Sequence, residues 1–128
     1  MAITVTLQGQ IIISDGTTGV VSLQKQLSLV MPGVVFSQAQ TLPVGIGATT
    51  ISLPISPVQF LYLKNLHAAN VVTVTWTPSG GASNVVVVLQ PGSMIMFTEA
   101  NPVPGSGITA LSLQANVGNT PVEFIVGG

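Results

Sequence analysis

Cysteine is absent from the 128 residues, so neither a disulfide nor a thiolate metal site can form, and the chain suits any redox compartment. Arginine is absent as well. The only formal charges are Asp15, Lys25, Lys64, Glu99 and Glu123, which amount to 4% of the residues and a net charge of −1. An ordinary soluble domain carries about 25%. Phosphates are met by clusters of lysine and arginine, and two lysines make no cluster, so a nucleic-acid partner is excluded. Long apolar runs are also missing. Mean hydropathy is +0.71, yet Gln, Ser, Thr, Pro or Gly interrupts every apolar run well short of the roughly 20 residues a spanning helix needs. One Trp, one Tyr and four Phe are too few for the aromatic girdles of a transmembrane barrel. No membrane partner is expected. The opening residues, Met-Ala-Ile-Thr-Val-Thr, lack the basic start and continuous apolar segment of a secretory leader.

What the chain does have is an ordinary apolar content of 47%, enough for one domain to bury a core without a metal or disulfide staple. With so few ions, its surface must be built of Ser, Thr, Gln, Asn, Gly and Pro. Net charge near zero removes the repulsion that keeps proteins apart. That is a hazard for a lone monomer and tolerable for a part that packs among neighbours. The composition therefore points to a subunit of an assembly.

The organising stretch is residues 60–97. Residues 60–66 form a strand-like run, and 71–77 alternate Val72, Val74 and Trp76 against Val71, Thr73, Thr75 and Thr77. A period of two in β-branched and aromatic residues fits a half-buried pleated surface. Pro78 and the Gly80-Gly81 pair end that run, residues 84–89 return, Pro91-Gly92 turns again, and 94–97 open another strand. Upstream, Ile3, Val5 and Leu7 alternate with Thr4 and Thr6, and Asp15-Gly16 between strand-like flanks signals a hairpin. Val21, Leu23, Leu27 and Leu29 follow on one face, with Lys25 in their register. A short run at 34–36, a strand at 49–53 closed by Pro54 and Pro57, a loop over 101–107, a strand at 108–113 and a last one at 122–126 complete the chain. These signals predict an all-β fold, an antiparallel β-sandwich of jelly-roll type with about nine or ten strands. Residues 1–128 are read as a single domain, with residues 1–31 a hairpin arm that is exchanged with, or adds strands to, a neighbouring subunit. Ile11, Ile12 and Ile13 are the candidate assembly interface.

Candidate chemistry is thin. His67 is the only histidine, so neither a metal site nor a Ser-His-Asp triad has the residues it needs, and no Gly-x-Ser-x-Gly elbow is present. Glu99 and Glu123 are the only fair carboxylate pair for glycoside hydrolysis, and nothing in their spacing favours it. Asp15 stands alone where calcium would want several oxygens. No catalytic residue, metal or cofactor is expected. Tyr62 and Trp76 could stack on a sugar ring, which would make the chain a glycan- or receptor-binding module; each also stands where a strand buries an aromatic. Met94 and Met96 read as packing or as an adaptable contact surface.

Residues 61–66, Leu-Tyr-Leu-Lys-Asn-Leu, then the Thr-rich strand 72–76, Pro-Ser-Gly-Gly-Ala at 78–82, Leu-Gln-Pro-Gly at 89–92, Ile-Thr-Ala-Leu-Ser-Leu at 108–113 and Asn-Thr-Pro-Val-Glu-Phe at 119–124 resemble small β-rich virion proteins of tailed bacteriophages. The likeness spans residues 60–126 and is one of strands and turns ending in a closing hairpin. It implies a capsid decoration (cement) or tail-associated protein of the virion, often trimeric, that contacts itself and a major capsid or other virion protein. The expected function is thus a non-enzymatic virion component held by uncharged subunit interfaces.

Overall fold

The computed structural model describes residues 2–14, 20–32, 40–53, 58–81, 83–99 and 107–127. The Asp15-Gly16 turn, the run at 34–36, the corner at Pro54 and Pro57 and most of the 101–107 loop lie outside them. The protein is all-β with antiparallel pairing throughout, and among the described residues the only helical segment is a 3-10 turn at Ser79–Gly81. The chain divides into two compact units, Met1–Gly33 and Val34–Gly128.

In the first unit, β1 (Ala2–Ser14) pairs with β2 (Val20–Pro32) along their whole length. The register sets Ile3 against Met31, Val5 against Leu29, Leu7 against Leu27 and Ile11 against Leu23, while Gly9 stands opposite Lys25.

The second unit contains β3 (Gln40–Val44), β4 (Thr49–Ile51), β5 (Phe60–Asn65), β6 (Val72–Pro78), β7 (Val85–Leu89), β8 (Met94–Thr98), β9 (Ile108–Ala115) and β10 (Thr120–Gly127). They form two four-stranded sheets, ordered β3-β10-β5-β8 and β4-β9-β6-β7. Alternate residues of both sheets, among them Leu61, Leu63, Val74, Leu113, Val122 and Val126, are buried and form one hydrophobic cluster. Period-two alternation does this directly, since it sends every second side chain to the same face.

β9 and β10 do not form the closing hairpin expected from the sequence. They belong to different sheets, as do β5 and β6. The links 66–71 and 116–119 arch between the sheets and are tied to each other. The Asn116 amide donates to the Val71 carbonyl at 3.0 Å, and the Val71 amide donates to Asn116 Oδ1 at 2.8 Å. Alternation shows which residues face inward but carries no information on which strand lies alongside, so a polar link between two strands reads equally as a hairpin or an arch. One turn is specified locally. At residues 90–93 the Ser93 amide donates to the Gln90 carbonyl at 3.0 Å, with Pro91 second and Gly92 third at a φ of 73°. Proline followed by a glycine at positive φ is the type II pattern.

Candidate interaction surface

The 66–71 arch and the start of the 90–93 turn meet at a buried amide. Asn65, the last residue of β5, falls on the same face as Leu61 and Leu63 and is fully buried. Its Nδ2 donates to the carbonyls of Asn70 at 2.8 Å, Leu89 at 3.2 Å and Gln90 at 3.2 Å, while its Oδ1 accepts the His67 amide at 3.0 Å. His67 Nδ1 in turn accepts the amides of Ala69 and Asn70. The Asn70 side chain donates to Thr120 Oγ1, and that hydroxyl donates to the Val117 carbonyl. This end of the unit is therefore a clamp of short polar side chains that satisfies loop backbone. The histidine has a structural partner on its ring, as expected of a loop residue after a strand.

The side formed by β7 and β8 differs. Each is the last strand of its sheet, so each turns one row of N–H and C=O groups away from its neighbours. The turn at 90–93 joins them, and near its other end the ring of Trp76, whose β7 partner is Val85, lies 6.4 Å from that of Phe97 on β8. The two edges thus run along one side of the unit. Val86 and Val88 are 60% and 51% exposed, and Met94 and Met96 are also exposed. Free sheet edges are normally blunted by lysine, proline, a bulge or shortness. The opposite edges follow that habit: β3 contains Pro43, and β4 has three residues. Neither β7 nor β8 contains proline or charge, and residues 65–98 contain no Asp, Glu, Lys or Arg at all.

Of the sites read from the sequence, Tyr62 and Trp76 stand in different sheets and are not brought together. Trp76 packs on the core cluster. Tyr62 donates its phenolic proton to Glu123 Oε1 at 3.1 Å. Ile11, Ile12 and Ile13 lie in β1, at register positions opposite Leu23, Ser22 and Val21. Met94 and Met96, read as packing or contact surface, are on the exposed edge. The Glu99 amide donates to the Gln59 carbonyl at a strand end, and Glu99 and Glu123 are not hydrogen-bonded to each other in any described contact. Among the described residues no three His, Asp or Glu side chains gather to hold a metal ion. No helix there is long and apolar enough to cross a membrane. A groove of about 330 Å³ between β3, β4 and β10 is lined by Gln40, Leu42, Thr50, Ile51, Phe124 and Val126, among others.

Tyr62 provides a titration that reports on this packing. Burial first, then the hydrogen bond to Glu123 and the negative charge of that carboxylate, push its phenol above the ordinary range. It is the single tyrosine, so the ultraviolet absorbance of the phenolate reads it alone. The midpoint is expected above that of a free tyrosine, and Glu123→Gln should bring it down. A midpoint that ignores Glu123→Gln would refute the contact. The sign for stability follows: the native state keeps a proton the unfolded chain has already lost, so stability is intact below the ordinary phenol pKa and falls as pH rises past it.

No known protein family matches the chain, and no curated protein does. One solved structure, described as "Bacillus endospore appendages form a novel family of disulfide-linked pili", is similar over 73% of this chain and 85% of its own, with 15% sequence identity and a TM-score of 0.47.

Proposed function

We propose that this chain is a non-enzymatic structural protein that assembles through uncharged surfaces, with copies of itself and with a larger particle. The particle of choice is a phage virion, where the chain would decorate or cement the capsid. The observation that carries the assembly reading is the β7–β8 side: exposed Val86, Val88, Met94 and Met96 beside two unguarded sheet edges, in a stretch without one charge. The capsid placement is supported by the sequence resemblance over residues 60–126. The strand order also favours it. We read two antiparallel sheets ordered β3-β10-β5-β8 and β4-β9-β6-β7 that share one core as an eight-stranded jelly-roll sandwich, an architecture common in viral capsid proteins.

Burial of apolar area is worth roughly 25 cal/mol per Å², and part of that gain is spent on association entropy. Many copies on one particle offset the remainder through avidity. With few ions to pair or screen, self-association should be nearly insensitive to salt. Light scattering at low and high NaCl should return the same mass, and cosedimentation with phage shells should retain the protein at both. Dissociation on adding salt would show that ion pairs hold the assembly and would count against the proposal. A monomer at high micromolar concentration that binds no shell would end it.

A further inference from the structure

We infer that two copies of this chain join β7 to β7 across a two-fold axis through Val87, so that four strands from each copy make one continuous antiparallel sheet. The inference rests on the self-association reading above and names its surface and symmetry. β7 reads Val-Val-Val-Val-Leu, nearly the same in both directions. Antiparallel pairing about Val87 places Val86 opposite Val88 of the partner subunit, and Val85 opposite Leu89 of the partner subunit. A two-fold axis perpendicular to the sheet keeps each face on its own side. Val86 and Val88, which point away from the core and are exposed in the single chain, then meet the same pair from the second copy. Cross-strand pairs of β-branched residues are the stabilising unit of a sheet.

Three observations select a second copy as the occupant. The edge backbone of β7 needs another strand edge, and β7 contains no lysine, proline or bulge to refuse one. Charge is the second. Residues 65–98 carry none, so a charged partner would shed hydration at this joint and find no counter-ion. A copy of this chain brings no charge to the joint. Area is the third. A stable interface buries roughly 1,600 Å² in total, of which five residues of strand supply only a part. The β8 edge lies along the same side and adds exposed Met94 and Met96, whose flexible thioethers adapt to an opposing surface. A two-fold joint is isologous and closed, so the copy number is even, and three copies alone cannot satisfy it.

The test uses the register. Val86→Lys with Val88→Lys sets like charges opposite each other across the axis, whereas Val86→Lys with Val88→Glu sets each new lysine opposite a new glutamate on the other copy. Both positions are solvent-facing in the single chain, and fluorescence of Trp76, the only tryptophan, verifies that each variant is folded. Ile46→Lys, at an exposed residue outside β7 and β8, is the control. By sedimentation equilibrium the parent should be an even multiple of 13.0 kDa. V86K/V88K should fall to half the parent mass, or associate about tenfold or more weakly. V86K/V88E and I46K should keep the parent mass. A V86K/V88K protein of unchanged mass overturns the inference, as do equal losses in both double variants or an odd copy number in the parent, and all three leave the self-association reading standing. A parent that is monomeric at high micromolar concentration removes that reading and this inference together.

Discussion

Asn65→Asp should cost about 3 kcal/mol of folding stability at neutral pH, with part of the loss recovered on acidification. The substitution changes almost no volume, so it isolates the hydrogen bonds. The wild-type amide donates to three carbonyls, of Asn70, Leu89 and Gln90, from a group with two hydrogens, so one bond is shared. An ionised carboxylate in the same place has no hydrogen to give and turns its charge toward three carbonyl oxygens. Those oxygens lose their partner in a site that is fully buried, and an orphaned buried group costs about 1–3 kcal/mol. The bond from the His67 amide survives, which limits the damage. Protonating the new carboxyl returns one donor. Its pKa in the folded state is therefore raised, the native state of the variant takes up a proton before the unfolded state does, and stability relative to wild type rises as pH falls. Urea unfolding followed by Trp76 fluorescence gives both numbers. A variant as stable as wild type, or one with the same deficit at every pH, would mean that Asn65 is not the tie between these loops. A loss of this size is a large share of the 5–15 kcal/mol that holds a typical domain together.

Asn65 also marks how far the sequence could be read. Residues 61–66 are legible as a strand, and Leu61, Leu63 and Asn65 fall two apart, so a polar residue on the buried face was in view. Its role was not, because its partners come from residues 70, 89 and 90, which only the assembled fold brings near. The same limit hid the pairing of β9 and β10. Each strand is legible in its own alternation, and β10 carries Val122, Phe124 and Val126 inward as that alternation predicts. The strand next to it is chosen by the sum of packing over the whole core, with β5 on one side and β3 on the other. The β7–β8 side was half legible. Four valines in a row suit a strand buried on both faces as well as one with a face left bare, and only the sheet order shows that β7 has no outer neighbour among the described residues. Composition points to packing among neighbours without saying where, and the β7–β8 edge is where the proposal places that contact on the second unit.

The second large effect divides the apolar residues into those that hold the fold and those left for a partner. Leu113→Ala should destabilise the unit by about 3–4 kcal/mol. Leu113 is wholly buried on β9, an inner strand flanked by Thr49 of β4 and Val74 of β6. Ladders on both sides hold its backbone in place, so the walls cannot collapse into the space left by the missing atoms, and the cavity adds to the lost transfer energy. Val88→Ala removes two methyl groups from a side chain that water already reaches, and in the dilute single chain it should shift stability by no more than about 0.5 kcal/mol. The assembled state should order the two variants oppositely. Leu113→Ala lowers the urea midpoint and leaves the association constant of the molecules still folded unchanged, while Val88→Ala spares the midpoint of dilute protein and weakens association. Binding to the folded state raises apparent stability by mass action, so the midpoint of wild type should climb with protein concentration more steeply than that of Val88→Ala. Equal urea midpoints for the two variants in dilute solution would show that β7 belongs to the core, and the case for an uncovered edge would fall with it.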